Sequence, residues 1–188
     1  RKLTAKRHLR VETCAGILEL RVQDRHQVEV NMGVPALAPS EVPITAAARS
    51  DDYPITVDGQ DLRVGAVSMG NPHAILRVDD TNAAPVATLG PAIERHADFP
   101  KRANAGFMQV CSDSEIRLRV FERGVGETLA CGSGACAAVV FGRLRGWLSE
   151  TVTVHLPGGK LSVSWSGEGQ PVMMTGPTAV VFEGSIRI

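Results

Sequence analysis

The sequence carries no excess charge of either sign: 20 Lys and Arg stand against 20 Asp and Glu, for a formal net charge of +0. No basic field is available to attract nucleic acid or an anionic membrane surface, so neither partner is expected. No uninterrupted apolar run approaches the ~20 residues that a helix needs to span a bilayer. The opening RKLTAKRHLR is charged, with no apolar core behind it of the kind a signal peptide requires. These absences predict a cytoplasmic protein. Four cysteines (Cys14, Cys111, Cys131, Cys136) in 188 residues are too sparse for a disulfide framework and read as reduced thiols. There is no CxxC or HxxxH pair, so no metal is expected. No GK[ST] ending or strand-GxGxxG-helix unit appears either, which removes a nucleotide cradle. The sequence also lacks an initiator methionine and enters a strand-like pattern almost at once, as a fragment of a longer chain would.

What is present is mostly strand. Leu18, Leu20 and Val22 alternate in ILELRV, Val28 and Val30 in QVEV, and Ile116, Leu118 and Val120 in IRLRV. Half-buried patterns of this kind predict antiparallel pairing. In TVTVHLPGGKLSVSW, Val152, Val154 and Leu156 face Leu161, Val163 and Trp165 across Pro157-Gly158-Gly159, which predicts a β-hairpin. The alternating VVFEGSIRI predicts a last strand tied into a sheet through Ile186 and Ile188. NMGVP at 31–35 and SMGNP at 68–72 echo each other as strand-to-turn corners.

Two segments read as helix. TNAAPVATLGPAIERH is expected to be broken into short pieces by Pro85 and Pro91. The second begins at Gly132 or Ser133 and runs to about Arg145. From Ala135 to Phe141 it is apolar on every side and has no polar face, so it must be buried all round. Gly134, Ala135, Ala137 and Ala138 let surrounding strands come close. The fold expected is α+β, with a sheet curled barrel-like around this central helix.

The stretch leading into it, ERGVGETLACGSGACAAVVFG, places Cys131 and Ser133 where the free N–H groups of a first helical turn point outward, an anion site suited to a carboxylate. Ser133 reads as the N-cap. Cys131, just outside the first turn, is expected to feel the positive end of the macrodipole, which would lower its pKa. Cys136, deep in the apolar run, reads as a small buried hydrophobe. A lone cysteine beside a glycine turn is more often structural than catalytic, so company matters. Asn71-Pro72-His73, Asn104 and Glu122-Arg123 are each ordinary turn or strand-end residues. Together with Cys131 they supply a thiol, a titratable ring, a carboxylate, a guanidinium and two amides, the groups that recognise a small zwitterion.

These residues carry a family resemblance. ERGVGETLACGSGACAA, with VSMGNPH upstream, RANAGFMQV between, and LPGGKL and MTGP downstream, closely resembles the diaminopimelate epimerase family along essentially the whole chain. The resemblance implies epimerisation of LL-2,6-diaminopimelate to the meso form, in the route to lysine and peptidoglycan precursors. It implies two thiols and no cofactor, neither pyridoxal phosphate nor metal, and a homodimer, for which Val180 to Phe182 is a candidate surface. In that reading Cys131 is one of the two proton-transfer groups and His73 and Glu122 set its protonation and orientation. Gly132 and Ser133 hold the α-carboxylate, while Asn71, Asn104 and Arg123, with Glu122 beside them, bind the distal amino-acid end. The family's architecture is two lobes, each a mixed sheet around a helix. Residues 1–31 would then be strands of an incomplete N-terminal lobe, left without partners, 32–176 the C-terminal lobe, and 177–188 a strand returning to the first. The family's other cysteine lies in a glycine- and asparagine-containing N-terminal motif with no counterpart around Cys14 in RVETCAG, so the 188 residues alone are expected to be inactive. A non-catalytic ligand-binding or dimer-forming module, or a related racemase or isomerase of proline derivatives or aromatic acids, are the rival readings.

Overall fold

The computed structural model describes residues 4–13, 16–24, 26–179 and 181–186. Its strands are β1 (His8–Thr13), β2 (Gly16–Val22), β3 (Gln27–Asn31), β4 (Tyr53–Val57), β5 (Gln60–Ser68) and β6 (Pro72–Arg77). After helix α1 (Val86–Glu94) come β7 (Asn104–Ser112), β8 (Glu115–Glu122) and β9 (Gly126–Thr128). Helix α2 (Gly132–Leu144) is followed by β10 (Thr151–Leu156), β11 (Gly159–Ser164) and β12 (Met173–Pro177). One 12-stranded sheet runs in the order β1-β2-β3-β12-β11-β10-β8-β7-β6-β5-β4, with β9 added beside β8. The β6/β7 and β8/β10 joints are parallel and the others antiparallel, so the sheet is mixed.

Helix α2 organises the sheet. Every residue from Gly134 to Gly142 is buried, as its unbroken apolar run demands. The helix touches β5, β6, β7 and β8 on one side and β11 and β12 on another. Strands so far apart in the sheet can meet one helix only if the sheet curls around it, and the path from β1 to β4 remains open. Side chains from β8, β10 and β11, including Ile116, Leu118, Val120, Val152, Val154 and Val163, complete this inner core. A second core lies on the other face, where Val86 and Ile93 of α1 pack with Val64, Ala66, Ala105 and Phe107. β5, β6 and β7 are therefore covered on both faces: Val67, Ile75 and Met108 point to the inner core while Ala66, Ala74 and Phe107 point to the outer one. Their near-continuous apolar runs follow from this. β8 and β10 keep the strict alternation of strands buried on one face.

The predicted hairpin is β10/β11, with Val152 opposite Val163 and Val154 opposite Leu161. The two echoing corners share a backbone feature, a glycine at positive φ: Gly33 at 83° and Gly70 at 88°. Three expectations need correction. Pro91 does not break α1, which continues through it to Glu94. A nine-residue helix loses one backbone bond there, and burial of Val86 and Ile93 outweighs it. Residues 181–186 form no strand, and Val181, Phe182 and Ile186 are exposed. Alternation makes a segment capable of pairing, but β12, just before it, already has β3 and β11 on its two edges. Finally, the strands before residue 32 are not left without partners, because β1, β2 and β3 pair in turn and β3 pairs with β12. Cys14, Val180 and Ile188 lie outside the described residues. No helix of the described residues is long and apolar enough to cross a membrane.

Candidate active site

The N-cap of α2 is Cys131, not Ser133: its backbone is extended (φ −133°, ψ 106°) and its carbonyl accepts the first helical bond from Ala135 N–H at 3.0 Å. Ser133 stands at the second helical position, and its side chain is engaged elsewhere. The N–H groups of Gly132, Ser133 and Gly134 are left without helical acceptors, as in any first turn. The sulfur is 5% exposed with its residue and folds back over this turn. Gly134 makes room for it, since a Cβ there would lie 3.2 Å from Sγ.

A polar chain reaches the thiol from the β5–β6 corner. His73 Nε2 is 3.2 Å from Asn71 Oδ1 and 3.1 Å from Ser133 Oγ; Asn71 Nδ2 is 3.4 Å from Ser133 Oγ; Ser133 Oγ is 3.7 Å from Cys131 Sγ. Asn71 Oδ1 can only accept, so the ring proton of His73 belongs on Nε2. With Asn71 Nδ2 donating to Ser133, the serine hydroxyl is left to donate to sulfur. His73 therefore reaches Cys131 through Ser133 and does not touch it.

His73 is fully buried, and that burial, reinforced by the positive charge of Arg123, lowers its pKa to about 3. It is neutral near pH 7 and holds its neighbours in place without exchanging protons with them. An unfolded histidine takes up a proton below its ordinary pKa of 6.5, whereas the folded ring does not until about 3. Between those values the unfolded chain binds more protons, so this contribution to stability is complete above 6.5 and is lost as pH falls toward 3. Denaturant melts at stepped pH should show that slope, and it should be shallower in His73→Gln; an equal slope in both proteins would contradict a buried neutral ring.

The thiol itself departs from expectation. Burial pushes the Cys131 pKa up, against the pull of the Ser133 hydroxyl and the Gly134 N–H, and the nearby Glu122 carboxylate pushes it up further. Desolvation outweighs the helix terminus here, so the resting group is a protonated thiol. Cys136, wholly buried, is pushed up to about 12 and is inert, as its place in the apolar run foretells.

Glu122 ends β8 and is half-buried, and its Oε1 accepts from Thr128 Oγ1 at 2.5 Å. Thr128, on the short strand β9, is a residue that sequence reasoning missed; the β8/β9 pairing sets it opposite Val120, from where its hydroxyl reaches the acid two residues along β8. Asn104, 3% exposed, spends its amide on two backbones: Nδ2 donates to Pro72 O at 3.0 Å and Oδ1 accepts from Arg123 N–H at 2.9 Å. It joins the Asn71-Pro72-His73 corner to the Glu122-Arg123 strand end. Arg123 is exposed, with Nη1 donating to Lys101 O at 2.9 Å. Gly132 lies under Met174, whose Sδ is 3.0 Å from where a Cβ would be. The structure thus gathers Cys131, Ser133, Asn71 and His73 into one chain, sets Glu122 beside it, and ties Asn104 and Arg123 together at its border.

A curled mixed sheet around a buried helix is the fold of known structures that include a hydroxyproline epimerase and a probable proline racemase. A hydroxyproline epimerase from Agrobacterium vitis superimposes with a TM-score of 0.64 at 17% identity, over 93% of this chain and 58% of that one. A phenazine biosynthesis protein of the PhzF family from Bacillus anthracis does so with a TM-score of 0.56 at 16% identity, over 93% and 66%. Sequence narrows the class. The family model described as diaminopimelate epimerase matches residues 65–181. The diaminopimelate epimerase of Thioalkalivibrio sulfidiphilus is 60% identical over 100% of this chain and 68% of its own length, and that of Pseudomonas syringae pv. tomato 53% identical over 100% and 68%. The chain belongs to the diaminopimelate epimerase family and spans about two thirds of the length of these relatives.

Proposed function

We propose that this chain supplies one of the two proton-transfer groups, and the binding site around it, for epimerising LL-2,6-diaminopimelate to the meso form. The observation that carries the reading is the buried Cys131 thiol at the α2 N-cap, with the Asn71, His73 and Ser133 chain ending on its sulfur. Inversion at Cα requires a base on one face and an acid on the other. The base takes the α-proton and the C–H electron pair passes onto the carboxylate. Cys131 delivers the proton of its S–H to the opposite face and is left as thiolate, so one proton enters and one leaves. Ser133 O–H and Gly134 N–H stabilise the sulfur anion as it forms, while burial, with Glu122 adding to it, keeps the resting group protonated. The free N–H groups of Gly132 and Ser133 receive the α-carboxylate as charge builds on it, and Asn71, Asn104, Glu122 and Arg123 bind the distal end.

No cofactor is needed for this cycle. Because it depends on Cys131 as a free thiol, we place the protein in a reducing cytoplasm. Exposed Val181 and Phe182 favour a homodimer built on that surface. The second face must be served by a group outside this site, and we take that group to lie N-terminal to the motifs present here, a reading the family resemblance supports. The test is incubation with LL-diaminopimelate in D2O of two preparations, the 188 residues alone and the protein at the length of its relatives, each also sized by sedimentation. The longer protein should incorporate deuterium at Cα as it forms meso product and should sediment as a dimer. The shorter one should bind without exchange. Absence of exchange in the longer protein sinks the assignment; full-rate exchange by the shorter one sinks the requirement for a second group; a monomer sinks the dimer.

A further inference from the structure

Glu94 is out of place for a structural residue. It is the last residue of α1, where the helix macrodipole disfavours a negative charge, and it is 2% exposed. Burying a carboxylate costs free energy unless its partners compensate. Two of the three partners of its side chain, Gly124 and Arg102, come from segments that lead to the site. Oε1 accepts from the backbone N–H of Gly124 at 2.9 Å, one residue beyond Arg123, in a turn where Gly124 has φ 75°. Arg102 and Arg95 bring guanidinium nitrogens to 3.7 Å from its two oxygens, Arg102 from a backbone at φ 59° that few non-glycine residues adopt. The Glu94 carbonyl accepts from Ala103 N–H at 3.1 Å, directly before Asn104. Asn104 in turn binds Arg123 N–H and Pro72 O. Glu94 is thus the hub from which both the Glu122-Arg123-Gly124 turn and the start of β7 are held.

We propose that Glu94 is a positioning residue for the distal end of the substrate: its buried carboxylate holds the Arg123-Gly124 turn in register with Asn104. This rests on the reading of Arg123 and Asn104 as the distal subsite. A distal group is bound alike before and during proton transfer at Cα, so misplacing it weakens binding without slowing chemistry, and KM moves while kcat does not.

The experiment uses the protein at its relatives' length. In Glu94→Ala, which removes the acceptor for Gly124, KM for diaminopimelate should rise by about tenfold or more, as loss of a hydrogen bond to a charged group allows, with kcat changed by less than about twofold. Glu94→Gln keeps an oxygen for Gly124 N–H and should restore most of the KM. A merely structural role would lower the melting temperature and the active fraction while leaving KM alone, and that outcome overturns the proposal, as does an equal KM in both variants. The amide resonance of Gly124, recorded without substrate, should shift in Glu94→Ala and far less in Glu94→Gln. If the unaltered protein turns over no diaminopimelate, the substrate reading fails and this resonance alone decides: unmoved in Glu94→Ala, or, should Glu94→Ala not fold, unmoved in Glu94→Asp, whose shorter side chain withdraws the acceptor from Gly124 N–H, it overturns the positioning role.

Discussion

Cys131→Ala, in the protein at its relatives' length, is expected to lose about a thousandfold or more in kcat/KM for diaminopimelate inversion, within the range that a positioned acid or base contributes. The loss should be chemical and not structural. Cys131 caps α2 through its backbone, with only the weak pull of the Gly134 N–H on its sulfur, and Ser133, Asn71 and His73 retain their mutual contacts without that sulfur. Removing a single sulfur beside Gly134 opens little space, so the melting temperature should stay within a few degrees while turnover collapses. Cys136→Ala supplies the opposite pattern. That sulfur lies wholly in the inner core, so its removal should cost stability and leave the proton transfer intact. The measurement is exchange of solvent deuterium into Cα, paired with thermal melts of both variants. Turnover by Cys131→Ala within tenfold of the parent would remove this thiol from the mechanism. Equal losses in both variants would show that the assay is reading stability.

The placement of the two cysteines, one at the head of α2 and one inside its buried run, was legible in the sequence, since it depends only on where each falls relative to a glycine-rich turn and an unbroken apolar run. The curled sheet was legible for a related reason: Ala135 to Phe141 has no polar face, and such a helix must be enclosed. The electrostatics were not. A helix N-terminus favours a thiolate, but sequence does not show that Cys131 is 5% exposed or that Glu122 approaches it, and these two facts reverse the direction of its shift. Ser133 was misplaced as the cap because residue type alone favours serine there; its hydroxyl is instead turned to His73, 60 positions away in the chain. Glu94 and Thr128 are hidden at shorter range, since their partners Gly124 and Glu122 lie 30 and 6 residues away and only folding brings each pair into contact. Glu94 looks like a polar residue ending a surface helix, and only the packing of α1 against β7, β8 and β9 shows it buried beneath the Gly124 turn. The segment at 181–186 fails for the converse reason, because its alternation is real but a strand is made by its neighbour as much as by itself.

Gly65→Ala should destabilise the fold by about 2–3 kcal/mol, a large effect for one added methyl. Gly65 lies in β5 opposite Ile75, where the strand backbone passes directly over the ring of Phe141 near the far end of α2. A Cβ there would come to 2.2 Å from Cδ2, 2.4 Å from Cγ and 2.5 Å from Cε2, distances that real Cβ atoms do not show. Something must therefore move, and the ring has little freedom to do so. Phe141 meets the edge of Trp147 with centroids 5.5 Å apart at 81°, and Trp147 is itself covered by Arg77 at 4.4 Å and Arg145 at 5.2 Å. Arg145 is further held toward Asp52 at 3.3 Å. Displacing the ring disturbs this whole stack, while displacing the strand opens the sheet around the helix. For a chain of this size the melting temperature should fall by roughly 4–12 °C. Phe141→Leu in the same molecule removes most of the ring from the path of the new methyl, so the double variant should be more stable than the sum of the two single losses predicts, a coupling expected of residues in direct contact. Because the strain arises at the end of α2 away from Cys131, the folded fraction of Gly65→Ala should keep the parent's KM. Denaturant unfolding of the three variants decides the matter, and a Gly65→Ala protein within 0.5 kcal/mol of the parent, on the order of a neutral surface change, would mean that β5 does not pack on Phe141 as described.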